Sequence, residues 1–125
     1  MFILATRKVI IAGGRDFKDY KLLKEKCDFY LSKAIADKDN IIIVSGTANG
    51  ADKLGEQYAH ERGFTVEHHP ANWKKYGKRA GFLRNEEMAE VSDAVIAFWD
   101  NKSKGTASMI DIAKKINLHL RVVTY

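Results

Sequence analysis

Residues 41–52, IIIVSGTANGAD, decide how this chain folds. Ile41, Ile42, Ile43 and Val44 form an uninterrupted β-branched run. Such a run, bounded by turn residues, is a strand buried on both faces. Ser45, Gly46, Thr47, Ala48, Asn49 and Gly50 follow, residues that leave room beside the backbone. Ala51-Asp52 then opens an amphipathic stretch ending at Arg62-Gly63, a helix with a glycine stop. Strand, glycine-bearing turn and helix together present backbone N–H groups to an anion. A short βα connection that binds nothing needs the same turn chemistry.

The pattern recurs on either side. Lys8 to Ala12 (KVIIA) is a first buried strand, and Gly13-Gly14-Arg15-Asp16 follows it. Paired glycines past a strand permit close approach of another group to the backbone. Leu22, Leu23, Cys27, Tyr30, Leu31, Ala34 and Ile35 recur at helical spacing and predict one helix over Tyr20 to Ala36. Phe64 to Glu67 is a short strand ended by His68-His69-Pro70, and Ala71 to Lys78 reads as a loop. Neighbouring histidines on a strand face opposite sides, so this pair predicts no metal site. Gly81 to Val91 is a helix, Ala94 to Trp99 a buried strand, Asp100 to Lys104 a polar loop, Gly105 to Ile116 a helix and Leu120 to Val123 a last strand.

Five strands alternating with four helices over short connections predict an α/β fold. The expectation is a single Rossmann-like three-layer domain over 1–125, a five-stranded parallel sheet in order 3-2-1-4-5 with helices on both faces. Ligands in such sheets sit at the carboxyl ends of the strands, where the strand order reverses. Gly13 to Asp16, Ser45 to Asp52 and Trp99 to Thr106 would then line one crevice.

The 125 residues, 46% apolar and 30% charged, have a globular composition. No apolar run approaches a membrane span. The opening MFILATRKVI has no basic segment before its apolar residues and no small-residue cleavage site, which predicts no signal peptide. The lone Cys27 forms no intramolecular disulfide and reads as a small buried hydrophobe, with the cytoplasm as the default compartment. The net charge of +5 includes a denser patch at Lys74, Lys75, Lys78, Arg79 and Arg84. It reads as a solvated face or as a contact for phosphate or nucleic acid, and charge alone does not separate these.

Taken together, GGRDF after the first strand, VSGTANGAD after the second, and RNEEMAEVSDAVIAFWDNKSKGT resemble the SLOG superfamily, in particular its YspA/cpYpsA-related branch. The superfamily includes the LOG-type enzymes and the Rossmann domain of the DNA-processing protein DprA. The resemblance implies a Rossmann-like fold, binding of a nucleotide or nucleotide-derived compound, and a homodimer formed through helices. Arg84 stands where the LOG enzymes carry an arginine, Ser92-Asp93 matches their SD, and Gly105-Thr106 matches their GT. The catalytic glutamate of the LOG motif GTxxE is Met109 here, and the PGG of that motif is replaced by Trp99-Asp100-Asn101. A methionine neither stabilises an oxocarbenium ion nor activates water as a carboxylate does.

The candidate ligand-binding residues are Gly13, Gly14, Arg15, Ser45, Gly46, Thr47, Gly50, Asp52, Arg79, Arg84, Asn85, Asp100, Gly105 and Thr106. The glycines supply backbone N–H groups, Ser45, Thr47 and Thr106 hydroxyls, and Arg15, Arg79 and Arg84 planar guanidinium groups that grip two oxygens at once. Asp52 and Asp16 either hold ligand hydroxyls or cap helices, and Asp100 either acts in the crevice or orders its loop. Trp73 and Tyr76 either stack a base or cover a core edge. No metal and no cofactor is called for, and no catalytic residue is assigned. The first functional reading is a sensor, carrier or sequestering protein for a nucleotide or ADP-ribose-like ligand. A nucleotide N-glycosidase or phosphoribohydrolase of LOG type, using Asp52 or Asp100, is an alternative, and single-stranded DNA binding of DprA type, resting on the basic patch, is another.

Overall fold

The structure is a computed structural model that describes residues 4–125; the opening residues 1–3, on which part of the signal-peptide reading rests, lie outside it. The strands β1 (Thr6–Gly13), β2 (Asn40–Ser45), β3 (Thr65–His68), β4 (Ala94–Trp99) and β5 (His119–Thr124) form one sheet in order β3-β2-β1-β4-β5. Every neighbouring pair is parallel, with Val9 opposite both Ile43 and Ala94 in the register of the central strand. The fold is thus the Rossmann-like one expected, with its reversal of strand order between β1 and β4.

The helices are α1 (Tyr20–Tyr30), α2 (Ser32–Ala36), α3 (Ala51–Arg62), α4 (Trp73–Tyr76), α5 (Ala80–Val91) and α6 (Lys104–Lys115). Alternate residues of β1 enter different cores, because side chains on a strand alternate between faces. Val9 and Ile11 pack with Leu23, Cys27 and Tyr58 of α1 and α3. Ile10 and Ala12 pack with Met88 of α5 and Met109, Ile110 and Ala113 of α6. The sheet is therefore covered on both sides, which is why its central strands tolerate no polar alternation.

Local signals set the helix ends. The Asp19 carboxylate accepts from the Leu22 amide at 3.0 Å, and Gly63 closes α3 in the left-handed conformation at φ 75. Two elements depart from the sequence reading. The first helix is broken at Leu31, whose ψ of 6 leaves the helical range while its side chain stays buried. The stretch read as a loop contains α4, started by the Asn72 side chain accepting from the Lys75 amide at 3.0 Å, and a 3-10 turn (Gly77–Arg79) that runs into α5. Asparagine is a strong helix N-cap, and that was the signal available at this position.

Candidate functional site

The reversal between β1 and β4 opens a cavity of about 550 Å³ at the carboxyl edge of the sheet. It is bounded by the turn after β1, the start of α3, Lys78 of the 3-10 turn, helix α5, and the start of α6. Four cationic residues, Arg15, Lys78, Arg84 and Lys104, line it against two carboxylates, Asp16 and Asp52. Trp73, Phe82, Met88 and Met109 supply the apolar part of its wall.

The turn after β1 is shaped by close packing. A Cβ on Gly13 would lie 2.5 Å from the Phe98 carbonyl oxygen and 2.7 Å from Ala51 Cβ. Gly50, at φ 80, lies directly under the first turn, so that any side chain there would meet the Gly14 carbonyl and the Arg15 backbone. The Ala51 amide donates to the Gly14 carbonyl at 3.2 Å. These contacts dock the second turn onto the first, and both glycines are required by that contact.

Arg84 ties three elements together. Its Nη1 donates to the Gly46 carbonyl and its Nε to Asn85 Oδ1 at 3.1 Å, while Asn85 Nδ2 donates to the Gly105 carbonyl at 3.3 Å. The turn after β2, helix α5 and the first turn of α6 are thereby held at fixed spacing. Asp52, buried beside Arg84, accepts from the Ala48 amide at 3.1 Å. Burial pushes Asp52 up to about 6, opposed by the Ala48 amide and the Arg84 charge. Burial likewise lowers Arg84, opposed by Asp52. Each group gains from the other without being in ion-pair contact, and each is held partly out of water.

Among the described residues, the amides of Arg15, Asp16, Lys104 and Gly105 donate to no protein acceptor. The first two belong to the turn after β1, the others to the first turn of α6, and all four residues line the same cavity. Unpaired amides at a helix start carry the positive end of the helix dipole, and amides of a tight turn make a concave anion seat. The arrangement can hold an anion from two sides.

The structure brings Gly13, Gly14, Arg15, Asp52, Arg84, Asn85, Gly105 and Thr106 around the main cavity. Gly46 and Thr47 line a smaller one of about 340 Å³ that shares Arg15, Ala48, Trp73 and Arg84 with the first. Ser45, Gly50, Arg79 and Asp100 line neither. The buried Ser45 hydroxyl donates to Glu56 at 2.6 Å and accepts from the Thr47 amide at 3.1 Å. Asp100 accepts from the Lys102 and Ser103 amides, each at 2.8 Å; the Ser103 amide, then that of Lys102, holds its carboxyl below the usual range, and its loop is ordered by it. Ser103 caps the first turn of α6, its Oγ accepting from the Thr106 amide at 3.4 Å and from the Thr106 hydroxyl at 3.1 Å. Ser103 and Lys104 line the cavity as part of the Trp99–Thr106 stretch expected there, though neither was named individually, and Phe82 lines it with no such expectation. The signal for Lys104 was its place directly before Gly105-Thr106; nothing local marks Phe82.

Of the adjacent pair His68-His69, His69 is held between Glu67 at 2.7 Å and Glu87 at 2.9 Å. Burial works against its charged form, but the two carboxylates outweigh it and raise His69 above its ordinary value. This cluster joins the end of β3 to α5 beneath the site.

The sequence matches the model of the YAcAr family, described as the YspA, cpYpsA-related SLOG family, over residues 7–76. A relative, the gene 61 protein of Mycobacterium phage D29, is 33% identical over 123 residues, covering 90% of this chain and 92% of the relative. The chain belongs to the YspA, cpYpsA-related SLOG family. The fold is similar to that of DNA processing protein A from Helicobacter pylori, described for its single-stranded DNA binding mode, with a TM-score of 0.62 at 23% identity over 93% of this chain. This chain spans 64% of the length of that one, and the likeness is one of fold. Within this SLOG fold, Met109 is 1% exposed, part of the core under β1 and β4 and part of the cavity floor at once.

Proposed function

We propose that this protein binds a nucleotide or nucleotide-derived, ADP-ribose-like ligand at the carboxyl edge of its sheet, acting in the cytoplasm as a sensor, carrier or sequestering protein. The observation that carries the reading is the meeting of four unpaired amides and four cationic side chains around one cavity that also has an apolar wall. Phosphate is the anion such a seat suits. Trp73 and Phe82, each about half exposed, offer surface for a base, and a volume of about 550 Å³ is within the usual range of small-molecule sites. Membership of the SLOG family agrees with this chemistry. The test is calorimetric titration with a panel of nucleotides, followed by chromatography of the mixtures. Saturable binding with the nucleotide recovered intact supports a binding protein. Released base would instead support the N-glycosidase reading, with the buried Asp52 as the acid–base group. Absence of binding across the panel would end the nucleotide reading.

Single-stranded DNA is the second reading. What favours it is the basic rim of Lys74, Lys75, Lys78 and Arg79 beside the exposed aromatics Trp73 and Tyr76, together with the likeness of fold to the Helicobacter pylori protein. Bases stack on exposed aromatics while cations track the backbone. An oligonucleotide bound with a steep salt dependence, and competing with mononucleotides, would support it. A homodimer belongs to the same proposal. The exposed Phe29, beside a groove of about 520 Å³ at the opposite edge of the sheet, is apolar surface that would be covered by it. Light scattering at two concentrations measures that mass.

A further inference from the structure

His69 stands between β3 and the segment 70–79, which brings Trp73 and Lys78 to the cavity. Its backbone is fixed by the His69 amide, which donates to the Ser45 carbonyl at 2.8 Å, one residue before Gly46. Its ring meets a carboxylate at each nitrogen, Glu67 of β3 at Nε2 and Glu87 of α5 at Nδ1. A neutral imidazole has one N–H and one lone pair, so it donates to only one of them, whereas the imidazolium donates to both. The side chain is 14% exposed, so water does not readily take the place of either partner.

The two carboxylates are not equivalent. Glu67 also faces Lys8 of β1, whose Nζ donates to its other oxygen at 2.8 Å. Glu87 is 60% exposed and has no partner but His69 among the described residues. On the other side, His68 faces Glu56 of α3, which Lys53 also faces. Lys8, Glu67, His69 and Glu87 carry no net charge while His69 is protonated, and a net negative charge without that proton. A neutral ring that keeps its shorter bond, to Glu67, turns a lone pair toward Glu87. Two acceptors repel, and an exposed carboxylate has water to turn to. Glu87 lies one helical turn from Arg84, which ties α5 to the turn after β2 through the Gly46 carbonyl. His69 is thus a second strut between the same parts of the fold, the ends of β2 and β3 on one side and α5 on the other.

We propose that His69 is a proton-operated latch: its imidazolium holds the end of β3 and the segment 70–79 against α5, and loss of the proton releases Glu87 and loosens the wall that carries Trp73 and Arg84. His69 is a positioning residue that lines neither cavity, and the latch does not depend on which ligand the protein takes.

Proton NMR of the histidine Cε1–H resonances, with tryptophan fluorescence on the same samples, tests it from about pH 5.5 to about pH 8.5, where histidine titrates. The resonance absent from His69→Gln is that of His69. In the native protein its midpoint is expected above the ordinary value of about 6.5, with a step in emission at the same midpoint. His69→Gln is expected to lose that step. Glu87→Gln keeps a contact in both states, because its amide accepts from the imidazolium and donates to the neutral ring. It is expected to lower the midpoint and lose the step while circular dichroism shows a folded protein. Urea denaturation is the second readout. A raised histidine contributes stability that is complete below about pH 6.5 and is lost as pH rises through its folded value, so the native protein should lose stability there relative to His69→Gln. A His69 midpoint at or below about 6.5, a step that survives in His69→Gln, or a His69 titration with no step would overturn the latch. Should His69→Gln fail to fold, Glu87→Gln decides, and an unchanged step in that variant would overturn it equally.

Discussion

Gly46 is a position where one residue decides the site. A Cβ there would lie 2.6 Å from Arg84 Nη1 and 2.8 Å from Asp52 Oδ2. Both are ends of side chains, so Gly46→Val is expected to fold with Arg84 displaced and its tie to the turn broken. Calorimetry should show ligand affinity lost and denaturation a destabilisation of about 1–3 kcal/mol, the range for a disrupted buried polar contact. Met109→Ala acts differently, because Met109 is chiefly core. It should lower stability by about 2–5 kcal/mol and leave affinity within a few-fold if the protein stays folded. Asp52 gives a pH signature. Its folded value of about 6 is above the ordinary carboxylate value, so the folded state holds an extra proton between the two. Stability from this group therefore falls as pH rises from about 4 to about 6. In Asp52→Asn, whose side-chain oxygen can still accept from Ala48, urea denaturation across that window should lose this slope.

At the scale of elements, the site depends on how closely α3 lies on the sheet. A Cβ on Gly55 would be 2.9 Å from Ile11 Cγ2 and 3.0 Å from Ile11 Cβ, atoms of a stiff side chain in the central strand. Gly55→Val is expected to lift α3, disturb the docking of Gly50 beneath the first turn, and lower stability by about 1–3 kcal/mol through overpacking. Gly105→Ala, where a Cβ meets nothing within 4 Å, is the matched comparison on α6. It should hold or raise the melting temperature, since alanine exceeds glycine in helix preference by roughly 1 kcal/mol. Thermal melts of both variants decide; similar losses in the two would mean that α3 and α6 are packed alike. The helix α4 belongs to this scale as well. Its four residues bury little, but they place Trp73 over Gly81 and in the wall of both cavities.

For the whole molecule, the sheet order makes β1 the centre and β3 and β5 the edges. Amides paired on both sides under two helix layers open only when the whole domain unfolds, whereas edges open locally. Native-state hydrogen exchange should therefore be slowest in Val9–Ala12 and Val95–Phe98 and faster in β3 and β5. Fast exchange in β1 with slow exchange in β5 would contradict this hierarchy. Among the described residues no helix is long and apolar enough to cross a membrane.

The apolar runs and helical spacings were sufficient for the five strands, the long helices and a parallel sheet, because burial on two faces leaves a periodic trace in the chain itself, whereas the break at Leu31 and the short α4 were missed. The glycines after β1 and β2 likewise marked where backbone comes close to something. What that something is lay beyond the local pattern. Gly50 meets the first turn, Ser45 is taken by Glu56, and Asp100 by its own loop, whereas Arg84 reaches Gly46 from 38 residues away. A polar group is available to a ligand only if folding leaves it without a partner, and its partner is chosen by contacts between distant segments. The unpaired amides of Arg15, Asp16, Lys104 and Gly105 around one cavity therefore exist only in the tertiary structure.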